Sequence, residues 1–423
     1  MSSDSSVSAV RCRAWVLLGI LCCVGVLLAG SAQGEESGAT VDGRDVPTRP
    51  GDSGIEFTCP AERLPRIRQD MARYLAELAI DPARYAVHED EAAGKLRFTL
   101  TTPDTDTNTL DLAERPEFGI PQHVSWLPTA SGESRKVVTV SPKEIVLALM
   151  QHGRLTVFAG RACDIEALRD HVGIRQNTVA WAEILRWGWP EGNPSKWNPK
   201  YWKAGTPRKR YPLWQAVNDA FFHQDKYEIG CYAAARLVLV QGILDYYRRI
   251  KQDASKVRLV QTRLLKDRRP LADVEPGRMW SFETDIDPRE LERPGKILRM
   301  TEGIAPKNFV PGDWSYVLNT DPVTYEKVGY EGSNPIYLGR NRFVDYYNDN
   351  GHYYTFEEKL DDVYQWRHRV FNRGRASDRA RIEPLSAQDY ERLSRPPEAG
   401  GMLQPLRTTP YYFGFEELPD MKP

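Results

Sequence analysis

Lys226-Tyr-Glu-Ile-Gly-Cys-Tyr-Ala-Ala-Ala235 is the stretch on which the reading of this chain turns. Ala234, Leu237, Val238, Ile243, Leu244 and Tyr247 extend it at helical spacing, so a long, mostly buried helix is predicted from near Gly230 to about Ile250. Cys231 then lies in the first turn, where unpaired N–H groups and the helix dipole favour the thiolate, the nucleophilic form of cysteine. Gly230 permits close approach of a ligand to the backbone. Glu228 is placed to cap the turn or to meet the thiol's partner. Taken alone, a cysteine in an alanine-rich helix is more often a core residue than a catalytic one.

Composition narrows the possibilities around that helix. The 423 residues carry 57 basic and 58 acidic side chains, a net charge of −1, which argues against a nucleic-acid partner. At 41% hydrophobic, the chain is long enough for two domains or one elaborated domain. Arg11 and Arg13, the apolar run from Ala14 to Gly30 and the small residues Ser31-Ala-Gln-Gly34 read as a secretory signal over 1–34. A secreted or periplasmic protein is therefore expected. An uncleaved membrane anchor is the alternative, and only through this segment. Of six cysteines, Cys12, Cys22 and Cys23 fall in it, leaving Cys59, Cys163 and Cys231. In an oxidising compartment an odd count implies one free thiol. Two readings stand: Cys59 pairs with Cys163 and leaves Cys231 reduced, or all three are unpaired. No cysteine spacing suits zinc, the histidines have no metal-site spacing, and no cofactor is implied.

Residues 35–54 read as a linker, rich in Gly, Asp, Thr and Pro. A smaller α+β region is expected over 55–163, with a helix from Leu64 to Leu78, strands at Leu96–Thr101, Val137–Val140 and Leu155–Phe158, and a helix at Pro142–His152. The second region, 164–375, reads as helices first and strands after. Helices are predicted at Ile165–His171, Thr178–Arg186 and Leu213–Phe222, and strands at Trp314–Leu318, Ile336–Leu338 and Arg342–Tyr346. The proline-rich tail, 376–423, is expected to be extended, with Tyr411-Tyr-Phe-Gly-Phe415 folding back on the body. Lys203 and Arg208-Lys-Arg210 read as a solvated turn, or as an attractant for an acidic protein substrate.

Tyr227–Ala235 and its helix resemble the nucleophile segment of the spore-coat transglutaminases of bacilli. Asn198-Pro-Lys-Tyr-Trp202 is similar to a motif that those enzymes carry upstream of the cysteine. Phe309-Val-Pro-Gly-Asp-Trp-Ser-Tyr316 and Ile336-Tyr-Leu-Gly339 resemble two of their strands, in the same order. The strand blocks also resemble the NlpC family of cell-wall peptidases. The resemblance implies an α+β fold: a papain-like, NlpC-type core with the nucleophile helix packed on a small antiparallel sheet, plus the N-terminal α+β region. It further implies a calcium-independent protein-glutamine γ-glutamyltransferase acting on proteins with exposed Gln and Lys. An NlpC-like peptidase and a decayed binding module are the alternatives.

The resemblance departs at the thiol's partner. The spore-coat enzymes have a glutamate before the Ile-Tyr-Leu-Gly strand and the peptidases a histidine; a gapless match puts Ser333 there. Glu331 lies two residues earlier, and a one-residue bulge is the shift that would bring it to the same face. A second family carboxylate, just before the cysteine, is Gly230 here, with Glu228 the nearest acid upstream. His352 is the candidate for the family's downstream histidine, and Asp345 a group that could orient it. The expected site is thus Cys231, Glu331, His352 and Glu228, with the six tryptophans from Trp181 to Trp214 as a shield against water or as aromatic core.

Overall fold

The computed structural model describes residues 53–190, 195–265, 299–301, 304–345, 353–371 and 381–408. The signal segment, His352 and the Tyr411–Phe415 cluster lie outside the described residues.

β1 (Gly54–Thr58), β2 (Tyr85–Asp90), β3 (Lys95–Leu100) and β6 (Leu155–Ala159) form a four-stranded sheet in the order β2-β3-β1-β6, parallel only between β1 and β6. Helix α1 (Leu64–Glu77) buries Leu64, Ile67, Met71, Tyr74 and Leu75, the stripe its spacing predicts. β4 (His123–Pro128) and β5 (Ser134–Thr139) make a hairpin. Helix α2 (Pro142–Leu149) is capped by Ser141, whose hydroxyl accepts the Lys143 N–H at 3.2 Å. It stops short of His152, which bridges to Ser53 beside β1. A disulfide joins Cys59 to Cys163, and Cys231 takes part in no disulfide.

The two helices expected between Ile165 and Arg186 are one, α3 (Ile165–Ala182). Gly173 does not break it. A Cβ there would lie 2.4 Å from the ring of Tyr246, so the glycine admits a neighbouring aromatic. The partner element is α5 (Cys231–Asp245), in which every residue from Ala233 to Asp245 is buried, followed by a π-helical turn at Tyr246–Ile250. Gly242 of α5 lies so close to Thr178 of α3 that a Cβ there would sit 2.1 Å from the Thr178 hydroxyl oxygen and 3.0 Å from its Cα. Asn177 donates to the Gly242 carbonyl at 2.9 Å and Trp181 to the Asp245 carboxylate at 3.0 Å. Helices α4 (Leu213–Phe222) and α6 (Ala254–Leu265) complete this layer.

The second sheet is antiparallel. It contains β9 (Arg299–Thr301), β10 (Trp314–Leu318), β11 (Gly332–Ser333), β12 (Ile336–Gly339), β13 (Arg342–Val344) and β14 (Leu403–Thr408) in the order β13-β12-β10-β14-β9, with β11 also paired to β10. Side chains alternate between its faces. Trp314, Ile336, Leu338 and Val344 join the core of α3 and α5. Val317, Tyr337 and Phe343 join a second core with Phe356, Leu360 and Val363 of α7 (Phe356–Gln365). The tail is not simply extended. Residues Ala387–Leu393 form helix α8 behind a Ser386/Asp389 capping box, and β14 is an interior strand. Its place comes from pairing with β10 and β9, which no local pattern in a proline-rich stretch encodes.

Two polar clamps tie the N-terminal sheet region to the rest. Arg154 and Arg175 both ion-pair with the buried Asp313, which also accepts the Val310 N–H at 2.8 Å. Burial works against the charge of Asp313, but the two guanidiniums prevail and hold its pKa below the ordinary range. The second clamp is Glu144 of α2, 1% exposed, which accepts the Arg340 N–H at 2.8 Å in the β12–β13 turn. That turn places Gly339, Arg340 and Asn341 at positive φ.

Burial raises the Glu144 pKa from 4.5 to about 6, with the Arg340 N–H and guanidinium opposing the rise. Because the folded value is the higher one, the group's stabilising contribution is complete below pH 4.5 and is lost as pH rises through about 6. Denaturant titrations across this window should show a fall of ~2 kcal/mol from this group. Glu144→Gln should remove that slope, and an unchanged slope would place the titration elsewhere.

Candidate active site

Tyr227, Glu228 and Ile229 lead into α5 held on both sides. Gly188 donates to the Tyr227 carbonyl at 3.2 Å and accepts from Ile229 at 3.0 Å, while Lys196 and Glu228 exchange backbone bonds of 2.8 and 3.1 Å. Behind them, Asp219 accepts from the Tyr227 hydroxyl at 2.5 Å and from Asn198 at 2.7 Å. Trp202 donates to the Ala216 carbonyl at 3.2 Å, and its ring packs on Trp197. The Asn-Pro-Lys-Tyr-Trp segment therefore braces the approach to the cysteine.

Cys231 is the first residue of α5, partly exposed, and Gly230 at the N-cap makes no side-chain capping bond. The Asn334 amide donates to the Cys231 Sγ at 3.1 Å. Asn334 Oδ1 in turn accepts the Trp314 indole N–H at 3.0 Å, which turns the amide nitrogen toward the sulfur. Tyr232 packs against Trp314 at a tilt, with ring centres 5.1 Å apart, and the fully buried Arg236 donates to the Tyr232 hydroxyl at 2.9 Å. Trp189 packs between Gly230 and Gly329: a Cβ on Gly230 would sit 3.6 Å from its ring, and one on Gly329 would collide with it. Trp181, Trp187 and Trp202 are core side chains. Trp189 lies against Gly230, the residue before Cys231, and Trp314 bonds the amide that meets the sulfur.

The other expected residues are placed as follows. Glu228 directs its carboxylate to Lys196, 3.3 Å away. Glu331 is exposed, and no bulge brings it to the register position. Asn319–Glu331, Leu318–Gly332, Val317–Ser333 and Trp314–Ile336 follow one uninterrupted antiparallel register. The reason is continuous backbone pairing to β10, which fixes each side chain's face. Ser333 holds the register but turns away from the sulfur, with its hydroxyl donating to Asp345 at 3.3 Å. Asp345 pairs with the buried Lys359 of α7 at 3.1 Å. Burial opposes the charge of Lys359, but Asp345 and Asp362 outweigh it and raise its pKa. His352 lies outside the described residues. Asn334 was missed as a site residue, although it directly follows Ser333. Strand alternation was the available signal, since adjacent residues face opposite ways.

A thiol at a helix mouth, an oriented amide on the sulfur and the indoles of Trp189 and Trp314 form a site suited to acyl transfer through a thioester. The family model for protein-glutamine γ-glutamyltransferase matches residues 138–349, half of the chain. The chain belongs to the protein-glutamine γ-glutamyltransferase family and is an acyltransferase. Comparison with curated proteins finds no match. Among solved structures, a transglutaminase from Geobacillus stearothermophilus without its C-terminal extension aligns with 60% of this chain and 97% of its own, at 17% identity and a TM-score of 0.38.

Proposed function

We propose that Cys231 is the acyl-accepting nucleophile of an exported, calcium-independent transglutaminase with a papain-like core, and that it forms glutamine–lysine isopeptide crosslinks. The contact between Asn334 and the sulfur carries this reading. An N–H donor aimed at sulfur stabilises the anion more than the neutral thiol, as does the N-terminus of α5. In the first step a bond forms between Sγ and the glutamine Cδ. The C–N bond breaks, and ammonia leaves with the thiol's proton. A lysine amine then attacks the thioester, forming the isopeptide bond and returning a proton to sulfur. Glu228 and His352 are the candidate proton carriers. Trp189 and Trp314 would limit water at the thioester, favouring the amine. The Cys59–Cys163 bond supports export through the 1–34 segment, because such bonds persist in oxidising compartments. No helix among the described residues is long and apolar enough to cross a membrane.

Alkylation of Cys231 by iodoacetamide, followed against pH, tests the proposal. Its midpoint should fall well below the ~8.5 of a free thiol. Asn334→Ala should raise that midpoint by about one pH unit and lower kcat about 100-fold. A wild-type midpoint at or above the free-thiol value would reject Cys231 as an activated nucleophile.

A further inference from the structure

Between Ser195 and Tyr211 the chain has six basic residues (Lys196, Lys200, Lys203, Arg208, Lys209, Arg210) and no acid, although the whole protein is nearly neutral. All six are exposed. Lys196 pairs with Glu228, and no ion pair among the described residues includes any of the other five. The segment is firmly built. β7 (Trp202–Lys203) and β8 (Thr206–Pro207) close a hairpin on Ala204 and Gly205, both at positive φ, the backbone of a type I′ turn. Arg208 donates through its backbone N–H to the Tyr201 carbonyl at 2.7 Å and through Nε to that of Pro199 at 2.7 Å. Lys203, Arg208, Lys209 and Arg210, with Thr206 and Pro207, line an open concavity of about 660 Å³ that has no acidic lining residue.

The segment that carries the hairpin is tied to the residues that lead into α5. Lys196, at its base, exchanges both backbone bonds with Glu228, three residues before Cys231. A chain that enters the site with its glutamine at the sulfur would therefore pass near this face. We infer that the basic hairpin is a docking surface for the glutamine-donor protein and selects glutamines flanked by Asp and Glu. Like charges on a donor would be repelled and acidic ones drawn in, a discrimination that electrostatic complementarity supplies. An acidic polypeptide is favoured over another polyanion because the donor is a protein and the basic segment pairs, through Lys196, with the residues that precede Cys231. The inference rests on Cys231 being the nucleophile.

Binding and turnover separate the two ideas. Fluorescence anisotropy with the Cys231→Ser protein should show an acid-flanked glutamine peptide binding about tenfold or more tighter than a lysine-flanked one. Raising ionic strength from about 0.01 to about 0.1 M shortens the Debye length from ~30 to ~10 Å and should narrow the difference. Adding Lys203→Glu and Lys209→Glu should abolish or invert the preference. In the otherwise wild-type enzyme the same pair should raise KM for the acid-flanked peptide and leave kcat unchanged. Hydroxamate formation from a small uncharged glutamine donor should also be unaffected. Peptide preference that survives the double substitution overturns the inference, as does tight binding of polyphosphate or single-stranded DNA without preference for acidic peptide. Loss of the small-donor reaction in the wild type would instead remove Cys231 from its role, and the binding measurement would still decide the surface.

Discussion

Cys231→Ala should reduce incorporation of a labelled primary amine into casein by at least about 10⁴-fold, because removing the nucleophile of a covalent mechanism leaves only positioning. The fold should survive. Cys231 occupies the first turn of α5 and is only partly buried, and alanine is the best helix former. Thermal unfolding of the variant should therefore stay within about 1 kcal/mol of the wild type. No other thiol among the described residues can substitute, since Cys59 and Cys163 are bonded to each other. Wild-type activity should withstand a calcium chelator. Amine incorporation that persists in Cys231→Ala would move the nucleophile elsewhere, and chelator sensitivity would remove the calcium-independent reading.

The second large effect concerns the disulfide. Cys59 directly follows β1 and Cys163 directly precedes Asp164, the N-cap of α3, so the bond ties the first strand to the helix that packs on α5. The bonded residues are 104 apart in sequence. Loop-closure entropy for a span of that size gives a stabilisation of ~4–5 kcal/mol, part of which native strain or denatured-state structure can offset. Cys59→Ala/Cys163→Ala should thus lower the unfolding free energy by about 4 kcal/mol in denaturant titrations. Reduction of the wild type should match it, exposing two further thiols beside Cys231. The small-donor reaction, measured well below the melting transition, should be nearly unchanged, since the bond touches no group at the sulfur. Equal stability with and without reductant would mean that the two thiols are unbonded.

Much of the local structure was legible. The spacing of Leu64, Ile67, Met71, Tyr74 and Leu75 marks α1, and the apolar run after Cys231 marks α5, because core-facing residues repeat with the helical period. The break expected between His171 and Thr178 does not occur: α3 runs through it, and Gly173 there leaves room for the ring of Tyr246. β14 was illegible, since a strand's membership depends on partners distant in sequence. The site divided along the same line. The chain itself determined which atom is the candidate nucleophile, by placing a lone cysteine after Gly230 at the start of an apolar helix, and it determined the family through motifs that need no coordinates. Only the tertiary structure decided what meets the sulfur. Pairing of residues 331–336 with β10 in one unbroken register turns Asn334 toward Cys231 and Ser333 toward Asp345 and leaves Glu331 in solvent. A shift of one residue would exchange those faces, and the backbone bonds that prevent it join segments far apart in the sequence.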